Sequence, residues 1–146
     1  MSYFEEEYII INTEEESVAN MEWLGLAKTE AYRTGMEQFL KLLEEHKSTL
    51  WLLNYAQGKV IDIKDQKWTT EEWLPVALNH IDHNLKKVAI ILSQDIFNKV
   101  AVRLISGQIE QNSTAEIAYF ENKSDAIDWL LTAEPQDQVE EMEITE

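Results

Sequence analysis

The amino-acid sequence predicts an α/β domain with a mixed, mostly parallel sheet of four to five strands, an N-terminal antiparallel hairpin and about four helices. Two observations lead to this prediction. The apolar runs at residues 50–53 and 88–92 are flanked by polar residues and are short, which is typical of strands buried on both faces of a parallel sheet. Segments with helical periodicity alternate with these runs, and such alternation favours a parallel sheet covered by helices.

The hairpin is predicted from the first 25 residues. Residues 8–11 are apolar and rich in β-branched side chains, and a polar turn follows at residues 12–17. Residues 19–23 then alternate between apolar and polar side chains, which indicates a strand with one buried face. Gly25 marks the end of the pair.

The first helix is predicted over residues 29–46, with Thr29 as its N-cap. Apolar residues recur there at helical spacing and form one stripe, as expected for an amphipathic helix. The stripe consists of Tyr32, Met36, Phe39, Leu40 and Leu43.

A long connection at residues 58–87 separates the two buried strands. Val60 and Ile61 read as an edge extension of the sheet, and Thr69 with Glu72 forms a capping-box pattern. Because proline is tolerated near a helix start, Pro75 fits a helix over residues 70–83.

Two more helices and one strand complete the prediction. Ser93 is the expected N-cap of a helix that ends near Gly107, residues 115–120 form the last strand, and Asn122 caps the last helix. The buried stripe of the first of these helices is expected to be Phe97, Val100, Ala101, Leu104 and Ile105. Ala126, Trp129 and Leu130 should face inward from the second.

Length and charge limit the classes of function. The 146 residues suit one domain, predicted at residues 1–132, and residues 133–146 contain six Asp or Glu and no Lys or Arg, which predicts a disordered acidic tail. A formal net charge of −16 disfavours nucleic acids and anionic membranes as partners.

The chain has no cysteine, so disulfides and thiolate chemistry are excluded. With no apolar run long enough to span a bilayer and an acidic N-terminus, a cytoplasmic location is expected.

The segment from Ala118 to Leu130 resembles the closing motif of the SpoIIAA-like branch of the STAS domain family. A strand ends in an aromatic residue, a capped turn follows, and the next helix carries Ala126, Trp129 and Leu130. The strand at residues 87–91, followed by a helix, is similar as well. The resemblance implies the STAS fold and the binding of a partner or ligand rather than catalysis.

Some members of that family carry a phosphorylated serine in a turn after the third strand. The corresponding turn here is Asn54-Tyr55-Ala56-Gln57-Gly58, which has no Ser or Thr. Asn54 matches the Asp of the family's turn as a polar residue. The phosphorylation switch is therefore not expected in this chain.

A ligand or partner site is predicted at the carboxyl ends of the central strands, where open parallel sheets commonly bind ligands. Asn54, Tyr55, Ser93 and Asp95 follow these strands, and the loop with Asp62, Asp65 and Trp68 is expected above the same edge. The alternative is that Ser93 is only a cap and Asn54 only a turn residue.

Trp68 and Trp73 flank a predicted helix start and are the tryptophans expected to be partly exposed, where they could anchor an interface. Alternatively, the two indoles form a hydrophobic staple across the helix N-terminus.

Metal binding and catalysis are both disfavoured. His80, Asp82 and His83 could supply ligands, but a zinc site needs three or four ligands with supporting hydrogen bonds, so no metal and no cofactor are expected. Glu71 and Glu72 fit the dipole at a helix start.

Three functions remain open at this point. The first is a non-enzymatic regulatory module that binds a protein partner or itself. The second is a carrier of a small apolar ligand in a crevice between sheet and helices. The third is a small hydrolase that uses Asp62 and Asp65.

Overall fold

The centre of the fold is a six-stranded sheet, which a computed structural model describes together with the helices over residues 2–132. The strands lie side by side in chain order and pair antiparallel from the first to the third and parallel from the third to the sixth. They are β1 (Ser2–Glu6), β2 (Ile9–Glu14), β3 (Val18–Trp23), β4 (Leu50–Asn54), β5 (Lys87–Ile91) and β6 (Glu116–Phe120). The predicted mixed, mostly parallel sheet is confirmed, but it has six strands rather than four to five.

The additional strand is β1, in the acidic segment that carries no strand pattern. It pairs antiparallel with β2, and the register shifts between Ser2 and Phe4. Phe4 packs against the core as a partly buried residue, whereas Glu5 and Glu6 are exposed. Charged side chains on an edge strand discourage pairing with other chains, so this composition suits a sheet edge better than a central strand.

The helices form four rods. The first is α1 (Thr29–His46), and the second runs without a break through α2 (Ile63–Trp68), a π-helical turn (Thr69–Trp73) and α3 (Leu74–His80). The third and fourth are α4 (Ile96–Asn112) and α5 (Lys123–Leu131). Predicted α1 has the observed bounds, although Lys28 rather than Thr29 occupies its N-cap position.

Strand alternation divides the core between the two faces of the sheet. Trp51 and Leu53 of β4 belong to the large cluster with α1, α3 and α4, and Leu52 belongs to a smaller cluster with α5. All three side chains are buried, since helices cover both faces of β4. The buried runs at residues 50–53 and 88–92 are therefore central strands, as the sequence predicts.

The connection between β4 and β5 differs from the prediction. Residues 60 and 61 are not in a strand, and the helical rod starts at Ile63 instead of residue 70. Thr69 lies inside this rod, where its hydroxyl donates to the carbonyl of Asp65 at 2.7 Å, so the capping-box prediction is wrong. Asp62 caps the rod instead, and its carboxylate accepts from the N–H of Lys64. The π turn ends two residues before Pro75, which has no N–H to continue the ladder of helical hydrogen bonds.

No helix within residues 2–132 is both long and apolar enough to cross a membrane. The acidic segment at residues 133–146 lies outside the described residues.

Candidate functional site

An open apolar concavity lies between α4 and the start of the helical rod, and we call it the α4 groove. Its volume is about 830 Å³. It is lined by Val60, Ile61, Ile63, Gln66, Ile96, Phe97, Val100, Ala101 and Leu104. Exposed side chains make up most of this lining, with 79% of Ile63, 68% of Phe97 and 60% of Leu104 open to solvent. Contiguous exposed apolar surface of this kind is typical of interaction sites.

The rotation of α4 about its axis creates this surface. Two polar side chains on its inner side, Asn98 and Ser106, are 2% exposed and are fixed by hydrogen bonds. Asn98 Nδ2 donates to the carbonyl of Lys59 at 2.7 Å, and Ser106 Oγ lies 2.8 Å from the Tyr119 hydroxyl. Ala101 and Ile105 then face the core, while Phe97 and Leu104 face outward. The prediction that Phe97, Val100 and Leu104 are buried is therefore wrong, whereas that for Ala101 and Ile105 is confirmed.

Asp95 sets where α4 begins. Its carboxylate accepts from the N–H groups of Phe97 and Asn98 at 2.9 and 3.2 Å, so Asp95 is the N-cap in place of the predicted Ser93. The helix also continues past Gly107 to Asn112, which corrects the predicted end. The first half of α4 lines the groove, and its residues after Leu104 contact β6.

Residues 59–67 form the opposite bank of the groove, and the loop at residues 55–61 leads into it. Ser93 Oγ donates to the carbonyl of Gly58 at 2.8 Å, and Asn98 holds Lys59. These contacts place Ile61 in the core, where it is 5% exposed, and leave Val60 49% exposed beside the groove.

The residues predicted at the carboxyl edge do come together, but in structural roles. Asn54 Oδ1 accepts from the N–H of Ala56, Ser93 Oγ accepts from the N–H of Asp95, and Tyr55 is buried beneath the loop. The adjacent crevice, lined by residues including Trp23, Tyr55 and Asn98, has a volume of about 10 Å³, which is room for about one water molecule.

Burial also determines the protonation of the phenols near this edge. Desolvation raises the pKa of Tyr55 far above its usual range, and the charge on Tyr32 would raise it further. Desolvation raises the pKa of Tyr32 in the same direction, partly opposed by its hydrogen bond with Thr69. Both phenols therefore stay protonated at ordinary pH and offer no base for catalysis.

The two aspartates predicted on the connecting loop have different structural roles. Asp62 is exposed at the helix start, whereas Asp65 is 1% exposed and pairs with Arg33 at 3.1 Å between Nε and Oδ1. Each carboxylate thus has a structural partner, and this geometry gives no support to a carboxylate pair for hydrolysis.

The two tryptophans predicted to be exposed have different environments. Trp68 is partly buried, with the guanidinium of Arg33 4.9 Å from its ring centroid. Trp73 is 3% exposed, stacks with Phe39 and donates from Nε1 to the carbonyl of Met36 at 2.8 Å. The predicted exposure of Trp73 is therefore wrong, because α1 covers it.

The histidines near the end of α3 are not part of a ligand cluster. Within residues 2–132 no three His, Asp or Glu side chains lie together as metal ligands would. His80 Nε2 lies 3.5 Å from Glu44 of α1.

Sequence reasoning did not predict the groove, although α4 contains a signal for it. Eight of the residues between 96 and 109 are apolar, more than one core-facing stripe can hold. When a helix is apolar on more than one side, the core covers only one of these sides. The other side is either covered by another part of the protein or a partner, or it stays exposed. The apolar residues are Ile96, Phe97, Val100, Ala101, Val102, Leu104, Ile105 and Ile109.

The closing motif adopts the expected local structure. Asn122 Oδ1 accepts from the N–H of Asp125 at 2.9 Å, and Ala126 and Leu130 are buried. Trp129 is partly exposed and packs on Phe120, with ring centroids 5.5 Å apart.

Comparison with known proteins agrees with this motif and with the sheet topology. The family model described as SpoIIAA-like matches residues 18–131. No curated protein and no solved structure is significantly similar to the chain. Because the match covers most of the chain, from β3 through α5, this protein belongs to the SpoIIAA-like family.

Proposed function

We propose that this protein is a non-enzymatic regulatory module that binds a protein partner through the α4 groove. Domains of the SpoIIAA-like type are regulatory or interaction modules in general. The observation that supports the proposal is the exposed apolar lining of the groove. We expect the protein to act in the cytoplasm.

Exposed apolar side chains supply the driving force for association. Phe97 lies in the first turn of α4, Leu104 lies about two turns further along, and Ile63 lies across the groove. Covering such side chains removes apolar area from water, at about 25 cal/mol per Å² before the costs of association. Phe97 is the largest of them, and aromatic residues at the centre of an interface commonly contribute most to binding.

Two of the residues predicted at the carboxyl edge support this surface indirectly. Ser93 and Asp95 fix the loop and the start of α4, and through them the two banks of the groove. Trp68, with Arg33 on its ring, lines a neighbouring cleft and is the predicted residue that we include as a direct contact.

The test compares affinity capture by the wild-type chain and by the double variant Phe97→Ser/Leu104→Ser. The matched control is Val76→Ser, which changes an exposed apolar residue of α3 outside the groove. We expect a specific protein to be captured by the wild type and the control but not by the double variant. The purified pair should then bind at least about tenfold more weakly in the double variant, as for loss of a central contact. Equal binding by all three proteins would show that the groove is not the site.

The groove also favours one second candidate function, a carrier of a small apolar ligand. Its volume of about 830 Å³ lies within the range of small-molecule sites, whereas the crevice between sheet and helices is nearly filled. Native mass spectrometry distinguishes the two functions. A co-purifying small mass that is lost in Phe97→Ser/Leu104→Ser would favour the carrier, and a bare protein would favour the interaction module.

A further inference from the structure

We propose that the α4 groove selects an acidic amphipathic segment of its protein partner. This inference rests on the proposed function and adds the chemistry of the partner. It follows from the charges that border the groove.

Basic residues border an apolar groove on a protein that is otherwise acidic. Residues 59–67 and 95–108, which form the two banks, contain five Lys or Arg and three Asp, although the chain as a whole has a net charge of −16. The basic residues are Lys59, Lys64, Lys67, Lys99 and Arg103. The banks therefore carry a small positive charge within a strongly negative surface.

The acidic residues of the same banks already have partners. Asp62 and Asp95 cap the starts of α2 and α4 through backbone N–H groups, and Asp65 is paired with Arg33. On the basic side, Lys67 lies 3.9 Å from Glu71, with both side chains largely exposed, so this pair is weak. Lys59, Lys64 and Lys67 remain available on the loop and rod bank.

The opposite bank carries the other two cations. Arg103 stacks on Tyr119 with its guanidinium 4.9 Å from the ring centroid, and Lys99 lies one turn before it. Lys99 and Arg103 both lie next to the apolar side of α4, on the edge of the helix that is nearer to β6. A segment that lies in the groove thus has cations on either side of its apolar anchors.

The length of the apolar stripe indicates what shape fits. Ile96, Phe97, Val100 and Leu104 cover about two turns, or about 12 Å at 1.5 Å per residue. Apolar anchors at spacings of three, four or seven residues on an amphipathic helix match a stripe of this length.

Two other occupants fit the charges less well. In a symmetric dimer the basic banks of both copies would face each other, which like charges disfavour. An anionic membrane would attract the lysines, but it would repel the rest of a chain with a net charge of −16.

The test is selection from a random peptide library displayed on phage, with the full chain as bait and Phe97→Ser/Leu104→Ser for counter-selection. We expect enriched peptides that combine apolar anchors at helical spacing with an excess of Asp and Glu. No enrichment over the counter-selected variant, or enriched peptides without an acidic excess, would overturn the inference.

Charge variants test the role of the banks with a selected peptide. Lys64→Glu/Lys67→Glu should weaken binding at least about tenfold, and raising the salt from about 0.05 to about 0.5 M should weaken wild-type binding in the same direction. The matched control is Lys41→Glu/Lys86→Glu, which makes the same change in net charge at two exposed lysines outside the groove, and it should bind like the wild type. Equal weakening in the control would attribute the effect to net charge instead of the banks.

Two further outcomes would replace the proposed occupant. Co-sedimentation with phosphatidylserine vesicles that depends on Phe97 would favour a membrane. A selected consensus that matches residues 139–144, whose sequence is Val-Glu-Glu-Met-Glu-Ile, would favour the chain's own acidic segment. A partner that depends on the groove but lacks an acidic segment would leave the proposed function intact and would refute this inference alone.

Discussion

Lys87 is a buried cation that fastens α5 to the sheet. It is 1% exposed, and its Nζ donates to the carbonyls of Trp129 and Thr132 at 3.0 and 2.8 Å. Its ammonium also lies 4.9 Å from the centroid of the Trp129 ring. A positive charge at the C-terminal end of a helix satisfies free carbonyls and favours the helix dipole, which explains a lysine in the first position of a central strand.

We expect Lys87→Met to lower the free energy of unfolding by about 2 kcal/mol, because two hydrogen bonds to a charged group are lost while the aliphatic stem is kept. Urea denaturation measures this change, and hydrogen exchange should show faster exchange in α5. Lys86→Met, at the exposed neighbouring position, should stay within about 0.5 kcal/mol of the wild type. Similar losses in both variants would contradict the role of Lys87.

Gly35 and Gly107 provide a matched pair for the effect of space around a helical glycine. A Cβ at Gly35 would lie 2.7 Å from Ile9 Cδ1 and 2.9 Å from Trp23 Cη2, whereas a Cβ at Gly107 would meet nothing within 4 Å. Gly35 therefore allows α1 to approach β2 and β3 closely, and Gly107 has no such role.

We expect Gly107→Ala to raise the free energy of unfolding by up to about 1 kcal/mol, since alanine favours the helix. Gly35→Ala should instead lower it by about 1–3 kcal/mol, because overpacking outweighs the same gain in helix propensity. Thermal and urea denaturation of both variants measure the signs. A stabilised Gly35→Ala would show that α1 has room for a methyl group against Ile9 and Trp23, contrary to these distances.

At the scale of the secondary-structure elements, α4 departs most from what its sequence predicts. Its apolar residues cover two sides, so periodicity alone allows more than one rotation about the helix axis. The buried hydrogen bonds of Asn98 and Ser106 select one rotation. A rotation of α4 that brought Val100 or Leu104 into the core would turn these two polar side chains outward and break their hydrogen bonds.

Two consecutive residues of α4 test this rotation. We expect Ile105→Ala, at 4% exposure, to lower the free energy of unfolding by about 2–4 kcal/mol. Leu104→Ala, at 60% exposure, should change it by less than about 1 kcal/mol. Urea denaturation of the two variants gives the comparison, and a larger effect at Leu104 would favour the rotation that the sequence predicts.

At the scale of the whole molecule, the aromatic residues of the larger core link stability to alkaline pH. Burial raises the pKa of Tyr32 and Tyr55 above the ordinary value of 10.0, so the folded chain keeps protons that the unfolded chain releases. Stability from this source is complete below the unfolded pKa and falls as the pH rises beyond it.

We therefore expect the free energy of unfolding to decrease steeply above about pH 10, with the tyrosinate absorbance of Tyr32 and Tyr55 appearing only together with loss of structure. Tyr55→Phe should reduce the slope above that pH and leave the slope below about pH 8 unchanged. Unfolding in urea at a series of pH values measures both slopes. Tyrosinate that forms fully in a chain that remains folded would contradict the effect of burial.

The sequence by itself determined the class of fold, because the signals that specify it are local. Residues 50–53 and 88–92 are continuous apolar runs, and α1 has a regular apolar stripe, so the type of each element follows from pattern alone. Within α1 the structure buries Leu42 and leaves Leu40 of the predicted stripe only partly buried. The same holds for the Asn122 cap and the helix after it, which carry the family resemblance.

Only the tertiary structure decided which apolar residues are left outside the core. β1 has no strand pattern and becomes a strand by pairing with β2. The helical rod begins at Ile63, after the Asp62 cap, and the loop before it is held by Ser93 and Asn98. The α4 groove depends on the same long-range hydrogen bonds. Its residues are apolar by sequence, but exposure depends on which side of a helix the rest of the chain covers, and that choice is made by contacts between distant segments.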